Sequence, residues 1–302
     1  MSGPQDTKRS DKKRISTLRI IAAIAVVQIF GSLAYPIAKV GLENIEPFTF
    51  AFYRFIIASV LLMSISFMQK YELPVERSDY LRILLLGFLI IPLNQTLFLV
   101  GQSMTSAGHG SVLFATTPVF IFILAIVHLK ERPRMKRTAG IIMAVAGAMY
   151  IVLGSSIEIG REYFIGDIII VFSVIAWAYY TIVGKSLVRK YGALRLTAYA
   201  LTSGTIMYFP FGVYRAWQFD YSQTTIADWG SVVYMAVGLS FVVYVLWYWL
   251  LKHMEVSRIA AYHNIQPVVA TAVSYYFLSE PLGWPFVIGG VVVIGGVLLA
   301  EL

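Results

Sequence analysis

The stretch PVFIFILAIVHLKE, residues 118–131, returns later in the chain as PVVATAVSYYFLSE, residues 267–280. Both begin with proline, end with glutamate thirteen positions on, and are otherwise almost wholly apolar. Glycines extend the frame: Pro118, Glu131, Gly140 and Gly147 recur as Pro267, Glu280, Gly289 and Gly296, each displaced by 149 residues. Weaker matches pair Gly87 with Gly238 and Lys39 with Lys185. Four matches at one offset, in segments whose other positions are interchangeable aliphatics, mark an internal duplication.

Composition gives the environment of this duplication. The chain of 302 residues is 58% hydrophobic and 13% charged, about half the charge of an ordinary soluble chain. A helix needs about 20 mostly apolar residues to cross a bilayer. Ten segments qualify, near 18–40, 48–68, 80–101, 106–128, 136–154, 164–187, 194–214, 229–251, 257–278 and 284–301. Their apolar runs are continuous rather than alternating, which selects helices over a membrane barrel. The first seventeen residues, MSGPQDTKRSDKKRIST, are polar and basic and are expected to be a disordered tail. The apolar run behind them is over twenty residues long without a convincing cleavage site, so it reads as a retained first span. The absence of cysteine rules out disulfides and thiol or iron–sulfur chemistry.

Charge sets the expected orientation. Six Lys or Arg precede or open the first span, and the loops after the second, fourth, sixth and eighth spans carry fourteen more. The loops of the other face hold only Lys39, Arg161 and Arg215, and Arg54 lies inside the second span. By the positive-inside rule both termini face the cytoplasm of a multi-pass protein in the plasma or inner membrane. The net charge of +8 is thereby a topology signal. A nucleic-acid partner is excluded, because no folded domain is left to carry a basic patch.

The 149-residue offset makes the repeating unit five spans long. Five is odd, so the second copy enters the membrane from the opposite side. The expected fold is an all-α integral membrane protein of ten transmembrane helices, arranged as two inverted five-helix repeats. The expected units are the tail 1–17, a first repeat 18–154 and a second repeat 155–302. Inverted repeats give a protein two nearly equivalent conformations, one open to each side, as alternating access requires.

The chain also resembles a known group, the EamA-type ten-helix branch of the drug/metabolite transporter superfamily. The resemblance rests on SAGHGSVLFATTPVFIFILAIVHLKERP, its copy SRIAAYHNIQPVVATAVSYYFLSEPL, the glycine-bearing spans after each, and Arg54 in FAFYRFIIAS. It covers nearly the whole chain beyond the basic tail. It implies a secondary carrier of small metabolites, many members exporting amino acids, nucleosides or drugs. The chain departs from strict symmetry in having Ala200, not arginine, at the position matching Arg54.

Individual residues carry separate expectations. Pro118 and Pro267 lack an amide hydrogen, so each is expected to bend its span as a hinge. Glu131 and Glu280 end the fourth and ninth spans, where a carboxylate opposes the helix dipole. Capping the amides that open the next span is the favoured reading, gating or proton binding the other. Gly140 and Gly147, like Gly289 and Gly296, lie seven apart on one stripe. Close packing of the fifth and tenth spans, away from the substrate, follows. Arg54 is an intramembrane charge that meets either a substrate carboxylate or helix-end carbonyls.

The polar and aromatic residues of the spans outline a substrate cavity. The candidates are Gln28 and Tyr35 on the first span, Asn94 and Gln95 on the third, and Trp177 and Tyr180 on the sixth. Tyr244 and Tyr248 follow on the eighth, then Tyr262, His263 and Gln266 on the ninth. Tyr244 and Tyr248 share a face at i, i+4. A lining of aromatic rings and amides suits amphipathic, zwitterionic or cationic small molecules. It holds no dense basic cluster, which disfavours phosphorylated substrates. No phosphate-binding loop, metal-spaced cluster or nucleophile–base arrangement points to an enzyme, a cofactor or a metal. The leading function is alternating-access export of an amino acid or similar solute, driven by a gradient. The chain is read as a monomer whose partners are that solute and the bilayer. The alternatives are a scaffold or receptor subunit on the same fold and, more weakly, a channel.

Overall fold

The computed structural model describes residues 17–71, 74–104, 110, 113–114, 116–153, 161–266, 268–269 and 284–301. Helices occupy all ten expected positions, the fourth and ninth only in part. They are α1 (Thr17–Asn44), α2 (Pro47–Phe67), α3 (Arg77–Met104), α4 (Thr117–Leu129) and α5 (Met135–Leu153) in the first repeat. The second repeat has α6 (Arg161–Tyr191), α7 (Ala193–Gln218), α8 (Ile226–His253), α9 (Val256–Ala261) and α10 (Trp284–Glu301). No strand occurs among the described residues. Five of the helices, α1, α2, α3, α8 and the 164–191 part of α6, are long and apolar enough to cross a membrane unaided.

Local sequence accounts for several helix ends. Pro47 opens α2, where its missing N–H is no loss. Thr225 and Asp228 form a reciprocal cap on α8, the threonine hydroxyl accepting from the Asp228 amide and the carboxylate from the Thr225 amide. A π-helical segment interrupts α3 at Leu89–Gln95 and α8 at Met235–Val243. These two helices are equivalent in the duplication, and the repeat offset lays one segment over the other. Single π-turns inside α-helices recur at functional sites.

The glycine stripes establish how the halves are related. A Cβ on Gly140 would lie 2.5 Å from the Ala300 nitrogen and 2.6 Å from the Gly296 oxygen. One on Gly147 would lie 2.8 Å from the Val293 nitrogen and 2.9 Å from the Gly289 oxygen. So α5 and α10 run antiparallel with their backbones in contact. Gly140 meets the counterpart of Gly147, and Gly147 meets the counterpart of Gly140, the self-complementary exchange of a twofold interface. The expected inverted repeat and the expected α5–α10 contact are both present. Neither helix lines the central cavity described below.

Each membrane face carries links between the repeats. On the face opposite the basic loops, Arg215 donates to Glu46 at 3.0 Å, Asn44 to Asp228 at 3.2 Å, and the Tyr53 and Tyr221 hydroxyls meet at 2.9 Å. On the basic face Arg137 pairs with Glu255 and donates to the Ser257 hydroxyl at 3.1 Å. There Lys185 donates to the Leu251 and Met254 carbonyls that close α8.

Two expectations are corrected. Pro118 does not bend a continuous helix: it occupies the first turn of α4, behind a turn at Thr116, where proline costs no hydrogen bond. Pro267 and Glu280 lie outside the described residues. Glu131 does cap a helix, but the helix is α9, not α5. Its carboxylate accepts from the Val256 amide at 3.2 Å and the Ser257 hydroxyl at 2.7 Å. A carboxylate unfavourable at the end of its own helix is thus placed at the positive start of another, in the other repeat.

Candidate functional site

A cavity of about 60 Å³ lies between the repeats at the level of the π-segments. From the first repeat come Gly31, Ala34 and Tyr35 of α1, Gln95 and Phe98 of α3, and Phe114. From the second come Trp177 of α6, Leu239, Val243 and Tyr244 of α8, and His263 and Gln266 of the ninth helical segment. The α9 helix gives way to a 3₁₀ turn at Tyr262–Asn264, which presents His263 here.

Aromatic rings build most of the wall. Tyr35 meets Phe98 and Phe114 edge-on, with centroids 6.0 and 6.1 Å away. Opposite, Trp177 packs at 5.4 Å on both Tyr180 and Tyr244 and at 5.5 Å on Trp247. His263 lies 4.7 Å from the Trp247 ring. The two walls are joined by the Tyr35 hydroxyl, which donates to Gln266 Oε1 at 3.3 Å. A Cβ on Gly31 would fall 2.6 Å from Gln266 Nε2, so a larger residue there displaces the end of the Gln266 side chain.

The lining retains unused hydrogen-bonding capacity. Gln95 Oε1 and the Trp177 indole nitrogen are buried without a partner, while the Tyr244 hydroxyl faces Arg54 and the His263 ring faces Gln266 without a well-formed hydrogen bond. Buried polar groups of this kind are costly unless they find a partner. The present volume holds a few water molecules and is well below the roughly 300 Å³ of small ligand pockets.

Behind Tyr244 sits Arg54, wholly buried on α2. Its Nε donates to the Ser240 hydroxyl in the α8 π-segment at 2.9 Å, and the guanidinium lies 4.7 Å from the Phe55 ring centroid. Tyr244 is within electrostatic reach. Apart from the Tyr244 hydroxyl, no polar partner faces its two terminal nitrogens among the described residues. The sequence has no Asp or Glu in 47–71, around Arg54, or in 229–254, the length of α8 that faces it. The helix-end carbonyls considered as its partner do not appear among its hydrogen bonds.

The eleven cavity candidates divide. Tyr35, Gln95, Trp177, Tyr244, His263 and Gln266 line the cavity. Asn94 is off the wall: its oxygen accepts from Gln95 Nε2, and its amide donates to the Ser173 carbonyl at 2.7 Å and hydroxyl at 3.0 Å, tying the π-segment of α3 to α6. Tyr180 and Tyr248 are packed on each other at 5.0 Å with no exposed surface. Tyr248 also fills the space over Gly184, where a Cβ would fall 2.3 Å from its hydroxyl. Gln28 is buried along α1 and Tyr262 packs against the core, both off the cavity wall. Phe98, Phe114 and Trp247 were not singled out from the sequence. Nothing in an apolar span marks which aromatic ring faces inward.

A second, larger concavity of about 550 Å³ opens on the basic face between the ends of α4, α5, α6, α8 and α9.

Comparison with known proteins agrees with this architecture. The model of the EamA-like transporter family matches residues 18–153 and again 164–302. An uncharacterized transporter of Archaeoglobus fulgidus is 29% identical over 94% of this chain and 97% of its own length. The uncharacterized transporter YetK of Bacillus subtilis is 30% identical, covering 92% and 85% of the two chains. A probable terminal-alkyne amino-acid exporter of Streptantibioticus cattleyicolor is 26% identical over 93% of each chain. Among solved structures, one crystal structure superposes with a TM-score of 0.75 at 14% identity, over 94% of this chain and 98% of that one. At that identity the likeness concerns the fold.

Proposed function

Since the chain belongs to the EamA-like transporter family, we propose that it is a secondary transporter exporting a small carboxylate-bearing solute, an amino acid or a close analogue, by alternating access. The observation that carries this reading is the cavity lined by both inverted repeats, with buried polar atoms in its wall. Rocking of one repeat against the other across the α5–α10 contact enlarges the cavity and exposes it to one side at a time. The excess of Lys and Arg in the loops of one face supports a cell-membrane protein with both termini on the cytoplasmic side.

Arg54 supports the carboxylate. A buried guanidinium without a counter-ion costs several kcal/mol, and neither α2 nor the facing length of α8 offers an acid. A substrate carboxylate at Tyr244 supplies the missing charge in the expanded state. The rings of Tyr35, Phe98 and Trp177 hold an apolar side chain, and Gln95 and Gln266 an amino group. The relative named as an amino-acid exporter is consistent with this class.

The test is uptake into proteoliposomes of labelled L-phenylalanine and L-threonine, with phenethylamine and phenylacetate as partners lacking one charge. Saturable uptake with counterflow is expected for the amino acids, with phenethylamine poorly carried. Tyr244→Ala is expected to raise the apparent Michaelis constant at unchanged protein abundance. Absence of saturable uptake for every probe would overturn the transporter reading, and equal handling of phenethylamine would overturn the role of Arg54.

A further inference from the structure

The large concavity on the basic face is separate from the cavity just described and shares no residue with it. Its volume of about 550 Å³ is that of a small-ligand site. Seven cationic side chains and two carboxylates line it. The two carboxylates are already engaged: Glu131 on the start of α9 and Glu255 with Arg137. Two of the cations are engaged as well, Arg137 with Glu255 and Ser257, and Lys185 with the last carbonyls of α8.

Five cations remain around the concavity: Lys130, Arg132, Arg134, Arg189 and Lys252. All five are exposed, and no carboxylate pairs with them among the described residues. The positive-inside rule requires such residues to lie on one face, but it does not require them to converge on one hollow. The backbone also aids the convergence. Lys130 adopts a left-handed conformation, φ 54°, unusual for a residue other than glycine, and turns the chain at the end of α4.

From this convergence we propose that the concavity binds a phosphate-bearing anion, either the headgroup of an anionic phospholipid or a soluble phosphate ester. Phosphate is favoured over a single carboxylate because its several oxygens accept from more than one cation at a time. Helix ends on the basic face lie at headgroup depth, where basic pockets between transmembrane helices take anionic lipid. The site is built from both repeats, α4 and α5 on one side and α6, α8 and α9 on the other. A bound anion therefore bridges the repeats beside the Glu131–Ser257 and Arg137–Glu255 contacts and stabilises the conformation seen here.

The experiment reads thermal unfolding of the full chain in detergent, titrated with phosphatidylglycerol, phosphatidylcholine, glycerol 3-phosphate and inorganic phosphate. The expected result is a saturable rise of a few degrees with phosphatidylglycerol and little with phosphatidylcholine, because ligand binding to the folded state raises its stability. The rise should disappear in the triple variant Arg132→Gln, Arg134→Gln, Lys252→Gln, whose positions are exposed and tolerate change. It should also shrink at high salt. If glycerol 3-phosphate or phosphate gives the same rise, the ligand is a soluble phosphate; if only the lipid does, it is a bilayer headgroup. An equal rise with phosphatidylcholine, an undiminished rise in the triple variant, or no rise with any of the four overturns the proposal.

Discussion

Placing a methyl group on each glycine of the α5–α10 contact tests the fold most directly. In Gly140→Ala the new Cβ meets the Ala300 nitrogen at 2.5 Å and the Gly296 oxygen at 2.6 Å. Relaxed contacts lie near roughly 3.5–4.0 Å, and both neighbours are backbone atoms that cannot rotate aside. The helices must part by about 1 Å, an overpacking that costs about 1–3 kcal/mol. At about 2 °C per kcal/mol this lowers the melting temperature by roughly 2–6 °C. Gly296→Ala meets Ala144 at 2.5 Å and should fall as far, while Gly147→Ala, first touching at 2.8 Å, should fall less. Gly290→Ala is the internal control. Its nearest neighbour is Val268 Cγ1 at 3.8 Å, so it meets no clash and gains up to about 1 kcal/mol of helix propensity. The assay is thermal unfolding of purified protein followed by tryptophan fluorescence. Gly140→Ala and Gly296→Ala combined should lose less than the sum of the two, since one separation relieves both. A Gly290→Ala loss equal to that of Gly140→Ala, or no loss in Gly140→Ala, would refute the packing and with it the twofold relation.

Three other substitutions probe particular contacts. Glu131→Ala removes the cap on α9 and should cost about 1–2 kcal/mol; Ser257→Ala added to it should cost clearly less than alone, and strict additivity in thermal unfolding would contradict the contact. Tyr248→Phe deletes a buried hydroxyl that faces the Tyr180 hydroxyl and should cost no more than about 1–2 kcal/mol, whereas Tyr248→Ala empties a buried site at about 3–5 kcal/mol. A stability loss in Tyr248→Phe as large as in Tyr248→Ala would contradict the packing role of the ring. Lys130→Gly relieves the left-handed backbone at φ 54° and should stabilise by up to about 1 kcal/mol; a lower melting temperature than the parent in detergent would contradict this.

The sequence by itself determined the solvent, the repeat and the contact between the repeats. Apolar runs of membrane-spanning length need no tertiary information, and an odd unit repeated at a constant offset has one topological outcome. The glycine stripes were legible for the same reason: only a close backbone approach calls for a missing side chain twice on one helical face. Arg54 was legible as an intramembrane charge because it lies about two turns inside an apolar span. Tertiary structure decided which polar residues meet. Asn94 and Gln95 are neighbours, yet one binds α6 and the other lines the cavity. Tyr244 and Tyr248 share a helical face, yet only Tyr244 reaches the cavity, while Tyr248 closes on Gly184. In a span that is apolar all round, no amphipathic stripe identifies the inward face, and a π-turn rotates every residue beyond it relative to α-helical spacing. Glu131 likewise reads as a cap from sequence, but its target is 125 residues away. The helix dipole that attracts a carboxylate is the same at every N-terminus, and only the packing of one repeat on the other selects α9.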